Sequence, residues 1–182
     1  MRPEDLIITI SGWHGVGKSV YSKAIAKKFK LRRLSAGGIF RRIAKERGLT
    51  IEELSELALK TKKIDKEIDS YVIREAKKGG VVVDALLSGW LLKDVAHIRI
   101  FLTAPFEERV RRIAERDGKS FEEAFRETKL RESSEKKRFR EYYGINLDDL
   151  SVYNFLIDTT LGDVESIKEV IYKLVEGYMK TH

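Results

Sequence analysis

The sequence predicts a three-layer α/β fold around a five-stranded parallel sheet, and three observations predict it. Short β-branched runs alternate with longer segments of helical period, the pattern of strand-helix units whose parallel sheet is covered on both faces. The first of these runs, "IITISG", breaks into glycines, a lysine and a hydroxyl before the next helical pattern begins. At 182 residues, with 42% hydrophobic residues and two prolines, the chain has one domain's worth of core, so residues 1–182 are read as a single domain.

Strands are expected at Leu6–Ser11, Leu31–Leu34, Val81–Asp84, His97–Leu102 and Tyr153–Asp158. Between the first two, Lys18–Phe29 carries Val20, Ala24, Ala26 and Phe29 at helical spacing, and Phe106, Val110, Ile113 and Ala114 repeat that pattern later. Residues 35–79 hold several helical segments and no strand, too long for a simple crossover, and read as a helical insert over one end of the sheet. Residues 118–143, including "SFEEAFRETKLRESSEKKRFREYY", alternate charges with few apolar residues to dock them, as a mobile lid would. Asp163–Tyr178 closes the chain as a helix with Val164, Ile167, Val170, Ile171 and Leu174 facing inward.

Composition narrows the function classes. The absence of cysteine excludes disulfides, thiolate metal sites and thiol nucleophiles together. The first strand begins within a few residues of Met1, which predicts a cytoplasmic protein without a leader, and no apolar run reaches membrane-span length. A formal charge of +7 predicts attraction to anions without choosing among nucleotides, phosphate and RNA.

The octet Gly12-Trp13-His14-Gly15-Val16-Gly17-Lys18-Ser19 matches G-x-x-x-x-G-K-[ST] and stands between an expected strand and an expected helix. Glycines permit positive φ and close backbone approach, so successive N–H groups and the helix N-terminus converge on phosphate oxygens. This is a P-loop: with Val20 after it, the octet is assigned to ATP, Lys18 bridging the β- and γ-phosphates and Ser19 ligating Mg²⁺. Asp84 ends the apolar run "VVVD", so its carboxylate emerges at the strand's carboxyl edge, suited to Mg²⁺ or its waters or to assisting transfer.

Beyond the P-loop, the blocks "SAGGIFR", "IDKEID", "SGW" and "YGINLDDLSVY" are similar to those of the nucleoside monophosphate kinases, most closely the archaeal cytidylate kinases, over nearly the whole chain. The resemblance implies that Ser35, Gly37 and Arg41 hold the acceptor nucleotide, Arg41 gripping its phosphate, and it adds Trp90 to the acceptor side. Asp65 and Asp69 share a helix face; the resemblance implies that they accept hydrogen bonds from a base's amine, while pairing with Lys62, Lys63 or Lys66 is the alternative. By the same likeness Arg112 packs on the donor base and Arg116 meets its phosphates, and Arg131 and Arg138 are lid arginines that close on the transferring group. A surface pair of Glu108 with Arg112 fits the sequence equally.

Two positions depart from the family pattern. Leu86 stands where an acceptor-binding arginine is usual, and Asn154 where an aspartate is usual. Trp13 and His14 are bulkier than the loop residues common in these kinases, and either contact the acceptor or pack outward. The expected activity is transfer from MgATP to CMP or dCMP by a monomer. AMP, UMP or a non-nucleotide acceptor is kept open by Leu86, and a nucleotide-dependent RNA or ribosome-assembly factor is the competing class, though no RNA-module signature is present.

Overall fold

Five parallel strands pair in the order β2-β3-β1-β4-β5, with β1 (Ile7–Gly12) at the centre. The others are β2 (Arg32–Ser35), β3 (Val81–Asp84), β4 (Ile98–Thr103) and β5 (Phe155–Asp158). The computed structural model describes the backbone of residues 1–182 and every side chain except those of residues 51, 52 and 55. The observed strands differ from the expected ones by at most two residues at either end. Because the chain leaves β1 toward β3 and β2 on one side and toward β4 and β5 on the other, a crevice opens at its carboxyl end.

Strand alternation divides the core. Ile8, Ile10, Val82, Ile100 and Leu102 pack against α1 (Lys18–Lys28) and α8 (Val164–Thr181). Ile7, Val81 and Val83 face the insert, which is three helices: α2 (Ala36–Glu46), α3 (Ile51–Lys60) and α4 (Lys62–Ala76). Ser35 caps α2 by accepting from the Gly38 N–H at 3.4 Å, so Gly37 and Gly38 lie inside its first turn. In α4, Ile64, Ile68 and Val72 form the buried stripe as read from sequence.

Three positions of the expected apolar stripes are exposed. Val20 is 46% exposed and α1 instead buries Tyr21, Ser22 and Ile25; Val164 and Val170 of α8 are exposed, its buried residues being Ile167, Ile171 and Val175. The charged segment forms one helix, α7 (Phe121–Tyr143), following α6 (Phe106–Asp117), and it is docked at both ends. Ala124, Phe121 and Phe125 pack on Val110 and Ile113 of α6, while Phe139 and Tyr143 pack with Leu87 and Leu147. The spacing 121, 124, 128, 132, 135, 139 is a helical stripe, hidden in the sequence because Thr128, Glu132 and Glu135 occupy three of its places.

The blocks "SGW" and "YGINLDDLSVY" meet in space. The short helix α5 (Ser88–Leu91) follows β3, and the Tyr153 ring lies directly on Gly89, where a Cβ would fall 2.2 Å from a ring carbon. Ser11 accepts from the Gly89 N–H at 3.1 Å and shares a 2.9 Å hydrogen bond with Ser88, which fixes the β3–α5 turn beside the P-loop. Asn154 is structural: its Oδ1 accepts from the Arg99 N–H at 2.9 Å while its own N–H donates to the Arg99 carbonyl at 2.8 Å. Among the described residues no helix is long and apolar enough to cross a membrane.

Candidate active site

The loop between β1 and α1 is shaped by its glycines. Gly12 has φ +143° and a Cβ there would meet the Leu102 carbonyl oxygen at 2.4 Å; Gly15 has φ +83° and would meet the Arg109 carbonyl oxygen at 2.4 Å. Lys18 Nζ donates to the carbonyls of Gly12 at 2.7 Å and Trp13 at 3.0 Å. Burial pushes its pKa down to about 8, against the opposing pull of Asp84 and Glu135.

Asp84, 4% exposed, accepts from Ser19 Oγ at 3.0 Å, Ser22 Oγ at 3.1 Å and Arg33 Nη2 at 2.5 Å. The register of β1 with β3 sets Asp84 beside Ile10, close to the phosphate loop. A hydroxyl and a carboxylate at hydrogen-bond distance are hard oxygen donors, and among the described residues no cluster of three or more His, Cys, Asp or Glu could cage an ion. That donor set fits Mg²⁺, which takes one or two protein oxygens and completes its shell with water and phosphate.

A cavity of about 1610 Å³ runs from this loop to the insert. His14 to Val20 and Asp84 line one end; Ser35, Gly37, Arg41, Asp65 and Asp69 line the other. Arg131 and Arg138 of α7 cover it, and Arg112 and Arg116 of α6 flank it. The expected site residues are therefore brought together, with three exceptions. Gly12 shapes the loop from behind; Trp13 packs with Leu87 and Phe139, under the Lys136 ammonium; Trp90 does not line the cavity, and its Nε1 is buried without a partner. Val20 is at the mouth, which accounts for its exposure.

The two aspartates of α4 are not paired with Lys62, Lys63 or Lys66. Their partners come from α7: Arg138 Nε stands 3.0 Å from Asp65 Oδ2, and the Tyr143 hydroxyl donates to Asp69 Oδ2. Neither Asp65 Oδ2 nor Arg138 Nε, both buried, completes a hydrogen bond of good geometry. Burial raises the Asp65 carboxyl above its usual range and pushes Asp69 up to about 6, the latter with help from Asp65 and against Tyr143.

Arg112 makes the surface pair with Glu108 that the sequence allowed, at 3.3 Å. It also donates to Thr159 Oγ1 at 2.9 Å and lines the cavity. Arg116 pairs with Asp117 at 2.7 Å, Arg131 with Glu135 at 3.3 Å, and Arg41 has no ion pair among the described residues. His14 does not pack outward: it lines the cavity and its Nε2 meets Glu135 Oε2 at 2.8 Å. Burial lowers the imidazole pKa against Glu135, whereas for Glu135 burial is outweighed by His14, Arg131 and Arg138, so it stays a carboxylate.

Sequence reasoning missed Arg33, Arg109, Glu132 and Glu135. Arg109 carried a signal, for it shares the apolar stripe of Phe106, Val110 and Ile113 at helical spacing, where a solvated arginine has no place. Nothing in the spacing around Arg33 points to Asp84, which it reaches across β2–β3.

The model of the "cytidylate kinase-like family" matches residues 7–161. The chain belongs to that family. A cytidylate kinase of Staphylothermus marinus is 45% identical over 175 residues, covering 96% of this chain and 99% of that one. One of Ignicoccus hospitalis is 42% identical over 169 residues, covering 93% and 98%. Among solved structures, an uncharacterized protein of Eubacterium ventriosum superposes with TM-score 0.72 at 19% identity over 95% of this chain and 99% of its own. A shikimate kinase of Bacteroides thetaiotaomicron gives 0.65 at 16% over 94% and 98%. These two likenesses are of fold. The family match covers the P-loop, the insert and α7 alike, and every residue lining the cavity except Gly162, Asp163 and Val164 lies within it.

Proposed function

We propose that the protein transfers the γ-phosphoryl group of ATP to CMP or dCMP. The observation that carries this reading is the continuous cavity with a phosphate loop at one end and two half-buried carboxylates at the other. Its volume exceeds the ~300–1,000 Å³ of a single small-ligand pocket, as two nucleotides end to end require. Cytosine presents an amine donor to Asp65 and Asp69, whereas uracil presents a carbonyl oxygen, which two carboxylates repel.

In this reading Lys18 and the loop N–H groups hold the donor's phosphates, and Arg112 lies along its base. Ser19 and Asp84 hold Mg²⁺, which supplies charge neutralisation of the β- and γ-phosphates when bound. Arg41, at the start of the cavity's acceptor end, grips the acceptor phosphate. Arg116, Arg131 and Arg138 surround the transferring group, where fixed positive charge in a closed site stabilises the charge spread over its oxygens. Trp90 supports the acceptor side from behind, through α5.

The test is diphosphate formation from MgATP with CMP, dCMP, UMP, AMP, GMP and no acceptor. CMP and dCMP are expected to be preferred over UMP by at least tenfold in kcat/KM. Equal use of UMP, or conversion of no monophosphate, overturns the reading.

Asp69 supplies a second check. Its raised pKa means that the folded chain binds this proton more tightly than the unfolded one. The associated stability is fully present below about pH 4 and lost as pH rises through about 6. At pH 7 the buried charge is therefore a cost, kept for the site. Asp69→Asn keeps an acceptor for Tyr143 and is expected to raise stability at pH 7 by about 1–2 kcal/mol, the gain vanishing toward pH 4, while CMP turnover falls. Thermal melts at the two pH values beside initial rates measure both; undiminished CMP turnover would remove Asp69 from the base site.

A further inference from the structure

The lid helix is tied to the phosphate loop by a buried ion pair, Arg109 with Glu132, that does not line the cavity. Arg109, 6% exposed, engages Glu132 of α7 with both terminal nitrogens, the Nη2 contact being 3.2 Å. Its Nη1 also donates to the His14 carbonyl at 2.9 Å, and its Nε to the Ala104 carbonyl at 3.3 Å. The Arg109 carbonyl presses on Gly15, and Glu135, one turn beyond Glu132, holds the His14 imidazole. Lys136 lies over the Trp13 ring at 5.3 Å. Two consecutive loop residues are thus gripped by α7 on one face, while Arg131, Ser134 and Arg138 project from the next face into the cavity.

A buried ion pair is a weak source of stability, because desolvation offsets the attraction; what a bidentate one fixes is geometry. We propose that Arg109 is a positioning residue for phosphoryl transfer: through Glu132 and the His14 carbonyl it sets where the lid arginines stand over the phosphate loop. Only a guanidinium can do this. Four of its hydrogen bonds leave in one plane toward three separate groups, and a lysine ammonium at a single point reaches no such set. The inference rests on the transfer activity proposed above.

Two variants test it, Arg109→Lys and the milder Glu132→Gln, which keeps shape and one hydrogen bond should the first not fold. In Glu132→Gln, kcat with CMP is expected to fall roughly tenfold, with both KM values within about threefold of wild type, since a small displacement of reacting groups costs rate before binding. Arg131→Ala should then cost clearly less in the Glu132→Gln background than in wild type, as one function is lost twice. Additive effects would overturn the proposal.

Amide hydrogen exchange without nucleotide decides it independently of turnover, so a wild type that phosphorylates nothing sinks the functional reading alone. Exchange in α7 and at residues 13–16 is expected to accelerate together in Glu132→Gln while β1 stays protected. Acceleration in α7 alone would show that the pair merely secures a helix.

Discussion

Lys18→Ala is expected to lower phosphoryl transfer by about 10²–10³-fold or more while the protein still folds. The ammonium now bridges the Gly12 and Trp13 carbonyls at the mouth of the phosphate loop, a geometry that points it at the cavity and keeps it desolvated. Desolvation makes it the more effective electrostatic partner for phosphate oxygens, and no neighbouring cation takes its place within the loop. The fold does not depend on it. α1 is anchored by Tyr21, Ser22 and Ile25, and the loop's path is set by Gly12 against Leu102 and Gly15 against Arg109. Lys18→Arg should fail nearly as badly, since a planar fork does not fit between two carbonyls that a single nitrogen now bridges. Circular dichroism and thermal melting beside a diphosphate-forming assay separate the two claims; near-wild-type turnover in Lys18→Ala would remove the loop from catalysis.

Legibility followed locality. The octet, its strand and its helix are contiguous, so spacing alone placed Lys18 and Ser19, and the stripe Ile64, Ile68, Val72 placed Asp65 and Asp69 on one face. Partners contributed from another element were not legible in this way. Asp69 meets Tyr143 and Asp65 meets Arg138 across more than seventy residues, and lysines nearer in sequence looked equally able to pair. The docking of α7 was not legible because its buried stripe is partly charged. Glu132 and Glu135 read as solvated until Arg109 and His14 stand opposite them, and a charge in an apolar register is a pointer to such a partner. Val164 and Val170 failed for a plainer reason. α8 packs on the sheet face with one narrow stripe, Ile167, Ile171 and Val175, and its flanking apolar residues Val164 and Val170 stay exposed.

Arg41→Ala is expected to raise KM for CMP by about 10–100-fold and to leave KM for ATP nearly unchanged, because one charge-assisted contact is worth ~1.5–3 kcal/mol. The loss falls near the upper figure for a reason specific to this chain. The resemblance to archaeal cytidylate kinases places an arginine at position 86; here Leu86 lines the same cavity and packs with Leu87 and Phe139, and an alkyl group offers phosphate nothing. Arg41 lies on a helix whose first turn faces the cavity, with no ion pair to compete for it among the described residues, so in the proposed reaction the acceptor's charge falls chiefly to it. The same logic gives a compensating change. In Arg41→Ala/Leu86→Arg, the new side chain lays its stem along the apolar cluster and carries its guanidinium toward the acceptor phosphate, so about tenfold of the lost affinity returns. A defect in Arg41→Ala confined to ATP would place the acceptor elsewhere, and no recovery in the double variant would mean that Leu86 faces the sugar or base, where an arginine has nothing to grip.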